Sequence, residues 1–135
     1  MTVTLDTLGT EATTRVDFVK ALAEDGAVKT EAVDALKRLA SSSEKEMHEL
    51  IPRRTLDNAR RRGTLTSQLA ERVAMATEVV HLAHRVFDDG ETANRWLRKP
   101  NRGLEGERPW TLLRTGPGAN LVRDVLLRVE HGVYG

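Results

Sequence analysis

The sequence predicts an all-α fold, and three observations carry that reading. Apolar residues recur at three- and four-residue intervals along most of the chain. No stretch alternates apolar and polar positions with β-branched residues for more than a few places. The breakers Pro52, Gly63, Gly90, Pro100 and Gly116 fall between the periodic segments.

Taken in order, Phe18, Ala21 and Leu22 predict a short helix over Arg15–Glu24. Ala32, Leu36, Leu39 and Ala40 predict a second over Thr30–Ala40. Ser43 followed by Glu46 forms a capping-box pattern, which opens a third helix running to about Leu50, with Met47 and Leu50 inward. Pro52 ends that helix and suits the start of the next. The fourth helix carries a run of arginines and stops at Gly63, a C-terminal cap glycine. Thr66–Phe87 is the longest helix, with Leu69, Val73, Ala76, Val80, Ala83 and Phe87 as one apolar stripe. Asp88-Asp89-Gly90 reads as a turn, Glu91–Arg98 as a short helix with Ala93, Trp96 and Leu97 inward. Lys99–Arg108 reads as a loop, Pro109 as the start of a single helical turn, and Thr115–Gly118 as another turn. The last helix runs over about Ala119–His131, with Leu121, Val125, Leu126 and Val129 apolar.

A length of 135 residues supports one domain, or two small parts sharing a core. The expected organisation is a poorly ordered segment over 1–14, a helical part over 15–87 that includes a long dimerisation or core helix, and a compact part over 88–135. With no cysteine, disulfides, thiolate metal sites and cysteine nucleophiles are excluded. The first residues show neither a basic n-region nor an apolar h-region, and no apolar run approaches the roughly 20 residues of a membrane span. A cytoplasmic location is therefore expected.

The net charge of +1 conceals an asymmetry. Residues 1–50 hold 6 Lys and Arg against 10 Asp and Glu, and residues 51–135 hold 15 against 10. The excess is densest in Ile51–Gly63, with five arginines and one acid. Arginine keeps its charge and its planar fork matches phosphate geometry, although a run of charge also suits a solvated helix face.

Catalytic patterns are missing. His81 and His84 lie three apart with Glu78 three residues earlier, a spacing helical metal sites can use, but no HExxH accompanies them. The serines lack a nucleophile elbow. The glycines of Gly103–Gly106 and Gly116–Gly118 lack the strand–loop–helix setting of a phosphate loop. No cofactor or metal is expected, and a binding protein is a better reading than an enzyme.

The pair Ser43–Leu50 and Arg53–Arg62, joined at Ile51-Pro52, has helix-turn-helix proportions. In that motif the second helix enters the major groove, with its first residues at base edges. Arg53 and Arg54 would then meet bases and Asn58 an adenine, while Arg60, Arg61 and Arg62 serve phosphates.

The chain also resembles a known family. Arg54-Thr55-Leu56, Arg61–Leu65 and Glu71-Arg72-Val73 resemble the centre of the Xre/MbcA/ParS-like antitoxins. Downstream, Arg85–Asp89, Ala93–Leu97, Pro100-Asn101, Leu104–Leu113, Thr115-Gly116 and Glu130–Tyr134 follow the family's pattern in order. Trp110-Thr111 departs from it, standing where a small aliphatic residue and an acid are usual. The resemblance implies a type II antitoxin with an Xre-like helix-turn-helix part and a toxin-binding C-terminal part. Such antitoxins neutralise a cognate RES-domain toxin that consumes NAD by occluding its active site. Many also form homodimers and bind their own promoter DNA. The residues expected at the toxin are Arg95, Arg98, Lys99, Asn101, Arg102, Arg108, Trp110, Val133 and Tyr134. Two other functions compete with this one. One is a stand-alone helix-turn-helix regulator with a C-terminal dimerisation module, and the other is a small α-helical enzyme using Glu78, His81 and His84.

Overall fold

The computed structural model describes residues 15–132. Eight α-helices occur among them: α1 (Arg15–Leu22), α2 (Glu31–Ala40), α3 (Glu44–Leu50), α4 (Arg53–Arg62), α5 (Ser67–Phe87), α6 (Gly90–Arg98), α7 (Pro109–Leu112) and α8 (Gly116–Glu130). The all-α reading holds. None of the described helices is long and apolar enough to cross a membrane.

Several boundaries follow from capping chemistry. The Ser43 hydroxyl accepts from the Glu46 amide at 3.1 Å, and the Glu46 carboxylate accepts from the Ser43 amide at 3.0 Å. This reciprocal box starts α3 where the sequence places it. Gly63 adopts φ +79°, a left-handed conformation that ends α4.

One predicted turn is a residue shorter than expected, and another is instead a helix start. Asp89 caps α6 by accepting from the Thr92 amide at 3.0 Å, so Gly90 is already helical. Thr115 caps α8 by accepting from the Gly118 amide at 3.0 Å. Pro117 lies in the first turn of that helix, where its missing N–H costs nothing. Gly-Pro-Gly reads as a turn only if the capping threonine before it is overlooked.

A two-stranded ribbon was not foreseen. β1 (Val28–Lys29) pairs antiparallel with β2 (Thr64–Leu65), Val28 opposite Leu65. Two residues are too short to show alternation. The ribbon buries Val28 and Leu65 and ties the entry to α2 to the exit of α4.

Helix α5 is the axis of the molecule. Its buried residues include Leu69, Ala70, Val73, Ala74, Thr77, Val79, Val80 and Ala83. That set contains the expected stripe as far as Ala83 and broadens it into a wide continuous face, because α1, α2, α6 and α8 all pack on it. The Thr77 hydroxyl is accommodated by donating to the Val73 carbonyl at 2.7 Å. The helix expected to dimerise or fill a core is thus core within this chain. Residues on both sides of position 87 join one apolar cluster, with Leu36, Met47 and Leu56 from one side and Leu97, Leu113 and Leu126 from the other.

Leu121 is the exception among the expected apolar positions, at 55% exposed. Ala119, Val122, Val125 and Leu126 set the inward face of α8, and Leu121 falls outside it.

Candidate interaction surfaces

Seven-residue α3 carries three acids, and each holds an arginine from another element. Glu44 accepts from both Nη groups of Arg60 on α4, with the second contact at 3.3 Å, and from Lys37 Nζ on α2 at 3.0 Å. These hydrogen bonds, that with Arg60 foremost, lower the Glu44 pKa from its ordinary 4.5 to about 2. Arg60 is correspondingly raised, chiefly by Glu44.

Glu46 receives Arg98 of α6 in a two-point grip, Nε to Oε2 at 2.7 Å and Nη2 to Oε1 at 3.2 Å. Arg98 also donates to the carbonyls of Ala40 and Asn94, each at 2.8 Å. Its guanidinium lies 5.4 Å from the Trp110 ring centroid, within cation–π range. The Arg98 contact holds the Glu46 carboxyl below its ordinary range. Glu49 binds Arg108 at 2.8 Å.

Trp110 has no exposed surface, and its indole N–H donates to the Glu46 carbonyl at 3.0 Å. The sequence offered it as a partner contact because it replaces a smaller residue. The structure uses the extra volume inside the core, between α3 and α6. Asn101 is also buried, and its Oδ1 accepts from the Gly103 amide at 2.7 Å to shape the loop. Arg98 and Arg108 are held by α3. Four of the residues expected at a toxin therefore have internal work.

Arg95, Lys99 and Arg102 remain exposed. Arg95 has only loose neighbours, Glu91 and Thr92, both at 3.4 Å. Val133 and Tyr134 lie outside the described residues, as does the segment 1–14.

On α4, Leu56 and Ala59 are fully buried. Arg53, Arg54, Asn58, Arg61 and Arg62 are exposed. Arg61 donates to the Asn58 side-chain oxygen. Arg60 differs, because Glu44 holds it. The sequence placed it with the phosphate contacts; the structure places it in an ion pair across the helix pair. The three acids of α3 are what sequence reasoning missed. The only available signal was acid on one short helix, facing a basic remainder.

The histidines have other surroundings. His84 Nε2 lies 2.9 Å from Asn94 Oδ1, and Asn94 Nδ2 donates to the Leu39 carbonyl at 3.2 Å, linking α5, α6 and α2. Burial, with His84 close by, lowers the His81 pKa. Among the described residues, no three His, Asp or Glu side chains group closely enough to hold a metal ion.

The fold and these surfaces define a small all-α protein in which the short helix α3 is tied by ion pairs to α4, to α6 and to the segment before α7. Residues 82–132 match the antitoxin Xre/MbcA/ParS C-terminal toxin-binding domain. With that match and the relatives below, the chain is Xre/MbcA/ParS-like, as its motifs indicated. An antitoxin Xre of Pseudomonas putida is 33% identical over 91 residues, covering 67% of this chain and 57% of the relative. One of Yersinia enterocolitica is 37% identical over 86 residues, covering 62% and 58%. A third, of Photorhabdus laumondii, is 33% identical over 73 residues, covering 53% and 49%. The chain thus spans between 49% and 58% of the length of these curated relatives.

Proposed function

We propose that this chain is the antitoxin of a type II toxin–antitoxin pair, and that it binds and neutralises a cognate toxin through residues 82–132 and the two residues that follow. The match of that segment to a toxin-binding domain carries the reading. The relatives named antitoxin Xre support it. The partner is a RES-domain toxin that consumes NAD, and the antitoxin acts by occluding its active site. The role is binding rather than catalysis.

The exposed cations Arg95, Lys99 and Arg102 form the contact set, together with Val133 and Tyr134. Arg98, Asn101, Arg108 and Trp110 support that surface from behind. Arginine is favoured at interface hot spots, and Arg95 has little intramolecular work to give up.

The test is co-expression with the product of the adjacent gene, followed by co-purification and an assay of NAD loss. A stable complex with suppressed NAD consumption is the expected outcome. A neighbour that neither co-purifies nor is inhibited would refute the reading.

Binding of promoter DNA by a homodimer is a second reading, and one observation favours it. Arg53, Arg54, Arg61 and Arg62 are exposed on the second helix of the pair, and none of them forms an ion pair among the described residues.

A further inference from the structure

We propose that the five arginines of α4 divide into two roles: Arg54 and Arg61, flanked by Arg53 and Arg62, face the backbone phosphates of a DNA duplex, in place of the base contacts that the helix-turn-helix pattern assigns to Arg53 and Arg54, while Arg60 is a positioning residue that Glu44 uses to fix the helix. The proposal rests on the DNA reading above and deepens it.

The helix sets the division. Residues advance by about 100° each around an α-helix. Leu56 and Ala59 are fully buried and mark the inward direction. Arg54 and Arg61 are seven residues apart, so they lie within about 20° of each other. Both point away from the Leu56–Ala59 side. Arg53 and Arg62 fall on either flank of that outward face. Arg60 follows Leu56 by four residues, about 40° from it around the helix, and is the arginine turned most toward the core.

Contacts repeat the division independently. Both Nη groups of Arg60 are occupied by Glu44, and Asp34 of α2 lies 3.9 Å away. Lys37 and His48 face the same carboxylate, at 3.0 and 3.6 Å. The cluster joins α2, α3 and α4, and α4 has no other charged anchor to either helix among the described residues. A guanidinium with both ends on a carboxylate cannot also give its fork to a phosphate without releasing that acid beside the DNA. Arg61 is engaged by a neutral partner, Asn58, which it can leave without exposing an acid.

The two roles predict different salt behaviour. Each phosphate neutralised contributes about 0.9 to the slope of log K against log salt. A positioning residue changes affinity without changing that slope. The probe is a fluorescent duplex of mixed sequence, titrated with the full chain over a range of salt concentrations. Arg54→Gln and Arg61→Gln should each flatten the slope by about 0.9. Arg60→Gln and Glu44→Gln should weaken binding with the slope unchanged. The double variant should be no worse than either single one. Arg60→Lys keeps a cation on Glu44 and should recover most of the lost affinity.

A flattened slope in Arg60→Gln, or a steeper one in Glu44→Gln as the released arginine reaches a phosphate, would overturn the division of roles. No binding by the unmodified chain even at low salt would overturn the DNA reading itself.

Discussion

Replacing Arg98 by alanine separates a structural role from a toxin contact. Its guanidinium makes two hydrogen bonds to the Glu46 carboxylate and one to each of two backbone carbonyls. Hydrogen bonds to charged groups contribute roughly 1.5–3 kcal/mol, and stranding one partner of a buried ion pair costs about 3–5 kcal/mol. The two side chains are 23% and 25% exposed, so water offsets part of that penalty. A loss of about 3 kcal/mol is the result, once the Ala40 and Asn94 carbonyls find water.

At about 4 °C per kcal/mol for a chain of this size, the melting temperature should fall by roughly 12 °C. Helical circular dichroism against temperature measures it, with urea titration as a second readout. Glu46→Gln should lose less, and the double variant should show coupling above about 1 kcal/mol. The effect depends on pH in a definite direction. The pKa of Glu46 is depressed in the folded chain, so the pair's stabilisation is fully present above the ordinary value of 4.5. It disappears as the pH falls through the lower folded value, and the gap between the parent and Arg98→Ala narrows there. A melting temperature within about 2 °C of the parent would refute this account, since even one lost charged hydrogen bond exceeds that.

Three further outcomes are expected. Gly118→Ala should destabilise by about 3 kcal/mol in urea titration, despite alanine's better helix propensity, because the new Cβ would stand 2.0 Å from the Leu112 carbonyl oxygen. Glu44→Gln should cost about 1 kcal/mol at neutral pH, since a carboxylate 42% exposed retains only a fraction of the roughly 3 kcal/mol that its full pKa shift represents. That difference, followed by urea midpoints, should fade between pH 4.5 and about 2, as the parent's carboxylate protonates. Charge reversal at Arg95, Lys99 and Arg102 should leave the melting temperature within a few degrees and weaken toxin capture at least tenfold in a binding titration, because all three are exposed.

Local chemistry was legible in the sequence and pairing across distance was not. The box at Ser43 and Glu46 and the stop at Gly63 are each set by residues within one helical turn, and both can be read in order. The fates of the arginines depend on partners much further away. Arg60 reaches Glu44 across 16 residues, Arg98 reaches Glu46 across 52, and Arg108 reaches Glu49 across 59. Trp110 failed for the same reason: its size and rarity marked it out, but only the fold shows that its N–H has the Glu46 carbonyl to meet. A large aromatic with a buried hydrogen-bond partner behaves as core, whatever its motif suggests.

The charge asymmetry takes a different meaning once those pairs are known. Splitting the chain at Leu50 leaves an acidic front and a basic remainder, and the excess of arginine reads as a surface for phosphate or protein. Each of the three α3 pairs has its acid before that boundary and its arginine after it. Part of the asymmetry is therefore spent inside the molecule, tying α4, α6 and the segment before α7 to one short helix. An arginine held in this way by a carboxylate offers little to a partner, so counting basic residues overstates both candidate surfaces. The proposed surfaces therefore rest on the arginines that those α3 acids do not hold: Arg53, Arg54, Arg61 and Arg62 on one side, Arg95 and Arg102 on the other.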